Sequence, residues 1–104
     1  MITVINTIKL QRPITLAEAR KIFLSTAPTY QGVAGRVRKN YILSQDGGTA
    51  GGIYLWKSRA DADAVYTDSW RAFVRGKYGS DPVLTYFDSP VVVDNPTQSI
   101  LSDE

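Results

Sequence analysis

The order of strand-like and helix-like segments restricts the fold of this chain more than any other feature. Segments rich in β-branched and aromatic residues alternate with helix-like segments in the order βαββαβ. A chain of 104 residues has room for one hydrophobic core, so these segments must pack together in one domain. The predicted strands cover residues 2–10, 36–45, 50–57 and 82–88, and the predicted helices begin near Thr15 and Ser58.

The helix boundaries follow from capping residues and from proline. Thr15 and Glu18 fit a capping box, and Pro28 stops the apolar helical repeat, which predicts a first helix over roughly residues 15–27. Ser58 is a good N-cap for the second helix. Residues 67–69 are weak helix formers and good caps, so this helix is expected to break and restart before Trp70.

This element order predicts an α+β fold, a ferredoxin-like sandwich with two helices on one face of an antiparallel sheet. Residues 1–95 form the predicted domain, with an extended C-terminal arm near its end, and residues 96–104 are expected to be a flexible tail. One layer of helices covers only one sheet face. Because the first strand carries Ile, Val and Thr on both faces, we expect the second face to be buried in a homodimer.

Composition excludes several kinds of chemistry. The chain has no Cys and no His, which removes disulfides, thiolate nucleophiles, imidazole and thiolate metal ligands and the commonest near-neutral base. The net charge of +2 does not indicate nucleic acid, and the apolar runs are too short for a membrane span. No secretory signal is recognisable at the start, so a cytoplasmic location is expected.

Two sequence stretches resemble a known family. RVRKNYILSQDG at residues 36–47, followed by AGGIYLW at residues 50–56, resembles proposed monooxygenases of the dimeric α+β barrel superfamily, and residues 86–95 look like their C-terminal end. The resemblance implies two ferredoxin-like subunits paired sheet to sheet, and an oxygenase that uses no metal or flavin cofactor. The haem-degrading relatives need an axial His, which this chain lacks. Neither Trp follows an Asn at the spacing of the quinone-forming relatives, so no catalytic residue is transferred from them.

The glycine pair between the second and third strands predicts how their side chains are arranged. If Gly47 and Gly48 are the two central residues of a tight hairpin, Tyr41 faces Tyr54 and Lys39 faces Trp56. Side chains alternate along a strand, so these four share one face. Asn40, Ile42, Ile53 and Leu55 then share the other face.

The shared aromatic face suggests a pocket for a flat aromatic or quinol-type substrate. Oxidation by O2 without a cofactor requires the substrate to give up electrons as an anion, which Lys39 or Arg38 can stabilise while Tyr41 or Tyr54 moves a proton. Trp70 and Tyr66 form a second wall if the helices cover this face. The predicted catalytic residues are Lys39, Tyr54 and Trp56, the predicted substrate-binding residues are Arg38, Tyr41, Tyr66 and Trp70, and no metal site is predicted.

Other interpretations of the same residues stay open. Cross-strand aromatic pairs and a Lys beside a Trp are also ordinary packing, and the stripe on the second helix has the spacing of any helix core. Nothing in the sequence excludes a non-catalytic small-molecule-binding dimer of the same fold. An RNA-recognition module shares the element order, but its signature would place Ile53 and Leu55 where aromatic residues are needed.

Overall fold

Four antiparallel strands form the main sheet of the protein, whose computed structural model describes residues 1–103. The strand order is β2-β3-β1-β4, which confirms the predicted ferredoxin-like arrangement. The elements are β1 (Ile2–Lys9), α1 (Leu16–Tyr30), β2 (Arg36–Leu43), β3 (Thr49–Trp56), α2 (Arg59–Val65), α3 (Asp68–Tyr78), β4 (Val83–Asp88), β5 (Val91–Asp94) and β6 (Ser99–Ser102).

The central strand β1 separates the two faces of the sheet. Val4, Asn6 and Ile8 alternate along it and are buried on the face that the helices cover. Val4 belongs to the main core cluster, together with Tyr54, Trp56, Ala62 and Tyr66. The aromatic face predicted from the hairpin is therefore the face beneath the helices.

Helix α1 begins as predicted but ends later. The Thr15 side chain accepts a hydrogen bond from the Glu18 backbone N–H, and the Glu18 carboxylate accepts one from the Thr15 N–H. The predicted end at residue 27 is wrong, because the helix continues through Pro28 to Tyr30. Proline removes only the hydrogen bond of its own missing N–H. The turn that follows it is closed by the Gln31 N–H, which donates to the Pro28 carbonyl at 3.3 Å.

The second helical segment is divided at the predicted place. The Ser58 side chain caps α2 by accepting from the Asp61 N–H at 3.1 Å. The chain leaves the helix at Tyr66, and the Thr67 side chain then caps α3 by accepting from the Trp70 N–H at 3.2 Å. The break turns α3 so that Trp70 and Val74 face the sheet region beside Tyr66.

The turn between β2 and β3 is longer than predicted, which corrects the hairpin register. Ser44, not Asp46, pairs with Thr49, and its N–H donates to the Thr49 carbonyl at 2.8 Å. The Asp46 carboxylate accepts bonds from the Gly48 N–H and the Ser44 hydroxyl and so stabilises a four-residue loop. Only Gly47 has a positive φ in this loop.

The longer loop moves the register by two residues. Lys39 lies opposite Tyr54, and Tyr41 lies opposite Gly52, so the predicted pairs Tyr41–Tyr54 and Lys39–Trp56 are wrong. A shift of two preserves the alternation of side chains. Lys39, Tyr41 and Tyr54 consequently share a face as predicted.

The C-terminal arm is a hairpin of β5 and β6. Residues 99–102, which the sequence placed in a tail, form its second strand. Arg38 binds the buried Asp94 carboxylate and ties the arm to β2, while the N-terminal ammonium binds Asp103. Arg38 thus has a structural partner that the sequence did not reveal.

Candidate functional site

A small cavity lies between the sheet and the helices α1 and α3. Its volume is about 30 Å³, which is room for one or two molecules the size of water. Its lining combines apolar and aromatic side chains with polar groups, and the part around Lys39 is its polar end. The polar groups are Asn6, Thr26, Lys39 and Lys77 and the tyrosines Tyr30, Tyr41, Tyr54 and Tyr78.

Lys39 is held in a cage of three tyrosine rings at this polar end. Its Nζ lies 4.0 Å from the ring centroids of both Tyr30 and Tyr41, and 4.9 Å from that of Tyr54. These contacts stabilise the ammonium form. Burial opposes them, and together with the nearby charge of Arg36 it lowers the pKa of Lys39 to about 7.

A lysine with this pKa exchanges a proton near neutral pH. As the amine, Lys39 accepts a proton from an acidic ligand, and as the ammonium it stabilises the anion that results. No carboxylate within residues 1–103 forms an ion pair with it. The charge that Lys39 acquires is therefore available to a ligand.

Asn6 is the polar residue of the cavity that the sequence analysis missed. It is 3% exposed, and its Oδ1 has no hydrogen-bond partner. Burying an amide oxygen without a partner costs about 1–3 kcal/mol, so its place in a strand core needs an explanation. The alternation of Val4, Asn6 and Ile8 in the sequence is the signal that identifies it, because a lone amide there must face the core.

Tyr54 lies beside Asn6 on the neighbouring strand. Burial raises the pKa of its hydroxyl well above the usual value, although the hydrogen bond with Asn6 acts in the opposite direction. Gly52 leaves space for this ring, since a Cβ there would lie 2.9–3.0 Å from it. Tyr54 therefore stays a neutral phenol that can donate its proton in a hydrogen bond.

Arg36 reaches the same face through an irregularity in β2. The register skips Val37, so Arg36 lies opposite Trp56 while Arg38 lies opposite Leu55. The Arg36 guanidinium carbon is 5.4 Å from the Tyr30 ring centroid and 5.8 Å from that of Trp56. Simple alternation cannot reveal such a bulge, which is why the sequence did not indicate Arg36.

The structure brings only some of the predicted site residues to the cavity. Lys39, Tyr41, Tyr54 and Trp70 line it. Trp56 does not, because it is 0% exposed and its Nε1 donates to the Tyr66 hydroxyl at 3.1 Å in the core. Tyr66 packs between Trp56 and Trp70, so it contacts a residue of the cavity lining without being part of that lining.

Tyr30 is a further residue that the sequence did not indicate. It lies in the turn of α1 that follows Pro28 and contacts both Lys39 and Arg36. Its position follows from the continuation of α1 beyond the predicted end. Tyr41 is held beside it by a hydrogen bond with Thr26 at 2.9 Å and by stacking on Phe23.

The opposite face of the sheet has no helix over it. Ile5, Ile53, Leu55 and Phe87 lie there, and Ile53 and Phe87 are exposed. The aromatic residues of β3 face the helices instead, so this open face lacks the stacked rings of an RNA-recognition surface. It is an apolar surface of the kind that sheets bury against a second layer.

Metal and membrane features are absent from the described part of the chain. Residues 1–103 hold no cluster of three or more acidic, His or Cys side chains that could bind a metal ion. None of the helices in this range is long and apolar enough to span a membrane.

Comparison with solved structures identifies similar folds. The chain resembles a monooxygenase from the gene ActVA-Orf6 of Streptomyces coelicolor, solved with nanaomycin D, at 16% identity and a TM-score of 0.63, covering 85% of this chain and 86% of that one. It also resembles a proposed antibiotic-biosynthesis monooxygenase from Caulobacter crescentus CB15, at 26% identity and a TM-score of 0.61, over 85% and 88% of the two chains.

A third similar structure is a mutant of SnoaB, a cofactor-independent oxygenase from Streptomyces nogalater. It is 16% identical, with a TM-score of 0.59, over 85% of this chain and 91% of that one. No protein-family model and no curated protein matches the sequence. The predicted resemblance to monooxygenases of the dimeric α+β barrel superfamily is confirmed at the level of the fold.

Proposed function

We propose that the protein is a cofactor-independent monooxygenase that oxidises a small aromatic, quinol-type substrate with O2. One observation carries the proposal: a lysine with a pKa of about 7 and no acidic partner within residues 1–103 lies in an aromatic cage beside a buried amide whose Oδ1 has no hydrogen-bond partner. The named activities of two similar structures, a monooxygenase and a cofactor-independent oxygenase, add support.

The proposed reaction uses the substrate as the source of electrons. A phenol loses its proton, and the resulting anion transfers one electron to O2. The phenoxyl radical and superoxide then combine to form a carbon–oxygen bond, and the peroxide takes up the proton. The carbon then loses its hydrogen as a proton while the O–O bond breaks and the outer oxygen leaves as hydroxide. The proton and hydroxide form water and the retained oxygen completes a quinone, so one substrate and one O2 give one quinone and one water.

Lys39 has two successive roles in this scheme. The amine takes the phenol proton, and the ammonium that forms stabilises the phenolate and then returns the proton to the peroxide. Asn6 accepts a hydrogen bond from a hydroxyl of the substrate, which gives its unpaired Oδ1 a partner. The neutral Tyr54 donates to an oxygen that becomes negatively charged.

The substrate must enlarge the cavity when it binds. A space of about 30 Å³ is far below the ~300–1,000 Å³ of ordinary ligand pockets. Phe73 and Lys77 lie at its outer side on α3, and both are exposed. We propose that these side chains move outward, so that Tyr41 and Trp70 enclose the aromatic ring.

A homodimer completes the proposal. The open sheet face, with Ile5, Ile53, Leu55 and Phe87, is the surface we assign to the partner subunit. Sheet-to-sheet pairing buries this apolar surface without disturbing the cavity on the other face. Action in the cytoplasm stays a prediction from the sequence.

Oxygen consumption tests the activity. Chelator-treated protein is assayed with hydroquinones, naphthols and anthrones, beside Lys39→Met and the control Lys21→Met, which removes an exposed lysine of α1. We expect protein-dependent uptake that falls about 100-fold or more in Lys39→Met, as for the loss of one preorganised charge. The control retains full activity.

Two outcomes would contradict the proposed reaction. Uptake that is equal in the wild type and Lys39→Met would show that the cavity does not carry the reaction. Binding of a naphthol without any uptake above autoxidation would favour the alternative function, a non-catalytic small-molecule-binding protein.

A further inference from the structure

Within residues 1–103, two cations that lack an ion-pair partner contact the same tyrosine ring beside the cavity. Arg36 and Lys39 both contact the ring of Tyr30, at 5.4 and 4.0 Å from its centroid. The Nη1 atom of Arg36 is buried and has no hydrogen-bond partner. A guanidinium donor without an acceptor is costly, because hydrogen bonds to charged groups are among the strongest.

The nearby acidic residues do not neutralise this pair. Asp61 approaches the backbone of Gly35, but its carboxylate accepts a hydrogen bond from the Ser58 hydroxyl and forms no ion pair with Arg36. Asp94 is bound by Arg38 and forms no ion pair with Arg36 or Lys39. Within residues 1–103, the ion pairs of the structure leave both Arg36 and Lys39 free.

A surface groove of about 260 Å³ runs beside the two cations. Arg36 lines only this groove, whereas Tyr30, Lys39 and Tyr41 line both the groove and the inner cavity. The Lys39 side chain is thus part of the wall between the two spaces. Movement of this side chain out of its tyrosine cage would join the two spaces into one elongated site.

We infer that the substrate carries a carboxylate, which binds between Arg36 and Lys39 while its aromatic ring occupies the cavity. The inference rests on the proposed function, since it concerns the same site. It narrows the substrate class from neutral quinols to hydroxylated aromatic acids.

The chemistry of the two cations favours this class. The planar guanidinium of Arg36 matches the two oxygens of a carboxylate, and such an anion gives its buried Nη1 an acceptor. The groove is polar and the cavity apolar, with Lys39 at their junction. A molecule with an acidic group at one end of a flat ring complements both parts.

Binding of two redox-stable probes tests the inference separately from catalysis. The probes are 3-hydroxy-2-naphthoate and 2-naphthol, which share the ring and the hydroxyl and differ in the carboxylate. Dissociation constants are measured at pH 6.5 by calorimetry for the wild type, Arg36→Gln, Arg36→Lys and the control Arg12→Gln. Arg12 is an exposed residue between β1 and α1, so its loss changes the net charge equally.

We expect the acid to bind the wild type about 10–100-fold more tightly than 2-naphthol, in line with charge-assisted hydrogen bonds. Arg36→Gln should remove this preference and leave the binding of 2-naphthol within about 2-fold, while Arg36→Lys retains part of it. Arg12→Gln should behave as the wild type. The result with 2-naphthol shows whether Arg36→Gln retains an intact cavity.

The inference is overturned if the wild type does not prefer the acid, if neither probe binds, or if Arg36→Gln weakens both probes equally. Failure of the oxygenase proposal looks different. In that case the acid binds with the expected preference, but no substrate of the panel supports oxygen uptake.

Discussion

The Nζ of Lys39 lies 4.0 Å from the centroid of the Tyr30 ring, which joins the last turn of α1 to the middle of β2. Tyr30 can reach this position only because α1 continues beyond Pro28. The same ring contacts Arg36, so one aromatic side chain contacts two cations. The polar end of the cavity therefore depends on how the helix ends.

The titration of Lys39 is the first prediction. Nitrogen-15 NMR of the lysine side chains should show one group titrating near pH 7, against the usual 10.5, because burial disfavours its charge. The groups around it that also carry or acquire charge are Arg36 on β2, Lys77 and Tyr78 on α3, Tyr30 on α1, Tyr41 on β2 and Tyr54 on β3. A midpoint above about 9.5 would contradict the proposed proton transfer.

The low pKa of Lys39 has a consequence for stability. Between pH 7 and 10.5 the folded chain holds fewer protons at this lysine than the unfolded chain, so its contribution to the free energy of unfolding rises with pH. Lys39→Met should therefore stabilise the protein at pH 6 by about 2 kcal/mol, since each pKa unit is ~1.4 kcal/mol and the tyrosine contacts offset part of the shift. Urea denaturation at pH 6 and pH 9 measures this increase in the free energy of unfolding, which should be smaller at pH 9.

Asn6 offers a test that separates function from stability. Asn6→Leu removes a buried oxygen without a partner but also the hydrogen bond to Tyr54, so the free energy of unfolding should change by no more than about 1 kcal/mol. Oxygen uptake and binding of 2-naphthol should nevertheless fall at least 10-fold. Ile8→Val, on the same face of β1, provides the ordinary core reference and should lose about 0.5–1.5 kcal/mol. If Asn6→Leu is strongly destabilised, Asn6 has a structural role in the core and the proposed role in the site is contradicted.

Much of the fold was predictable because it depends on local signals. The capping box at Thr15, the N-cap at Ser58 and the break before Trp70 each involve residues within four positions of one another. The face shared by Lys39 and Tyr54 was predicted despite the wrong register. An error of two residues in the turn keeps the alternation of side chains intact.

The errors have an equally physical origin. A bulge at Val37 reverses the alternation at the start of β2, and nothing in the local sequence marks it. Arg36 was missed for this reason, whereas Arg38 was selected for its charge although alternation places it on the face opposite Lys39. Pro28 was treated as a helix stop, although proline in a last turn removes only one hydrogen bond.

The loop between β2 and β3 can be tested with its two glycines. Gly47 has a φ of +78°, and a Cβ there would lie 2.3 Å from the Ile14 carbonyl oxygen. Gly47→Ala should therefore cost at least about 1 kcal/mol, because both strain and a clash arise. Gly48→Ala meets only the Asp46 side chain, at 3.3 Å, and should cost less. If thermal unfolding shows that Gly47→Ala and Gly48→Ala lose equal stability, a two-residue turn would be favoured over the four-residue loop.

The two tryptophans should respond differently to replacement by phenylalanine. Trp56→Phe removes the hydrogen bond to the Tyr66 hydroxyl and leaves a space in the core, so the free energy of unfolding should fall by about 2 kcal/mol. The Kd of 2-naphthol for the folded fraction should stay unchanged. Trp70→Phe alters the cavity wall and should weaken binding several-fold with a smaller loss of stability. If Trp56→Phe weakens the binding of 2-naphthol and Trp70→Phe does not, Trp56 is again a candidate catalytic residue.

The open sheet face makes a prediction about assembly. Light scattering should give a mass near twice 11.5 kDa, because Ile5, Ile53, Leu55 and Phe87 form an apolar surface that a single layer of helices leaves uncovered. Phe87→Asp places a charge in this surface and should shift the protein to the monomer. The control Leu24→Asp changes an exposed leucine on α1, on the other side of the sheet, and should leave the mass unchanged.

The same measurement distinguishes pairing through the open face from pairing elsewhere. If Leu24→Asp dissociates the dimer and Phe87→Asp does not, the subunits associate through their helices, which would obstruct the region where Phe73 and Lys77 must move. A wild-type mass of 11.5 kDa at high concentration would remove the homodimer from the proposal. Retention of 2-naphthol binding by the Phe87→Asp monomer would show that each subunit forms its cavity alone, as expected when the cavity and the open face lie on opposite sides of one sheet.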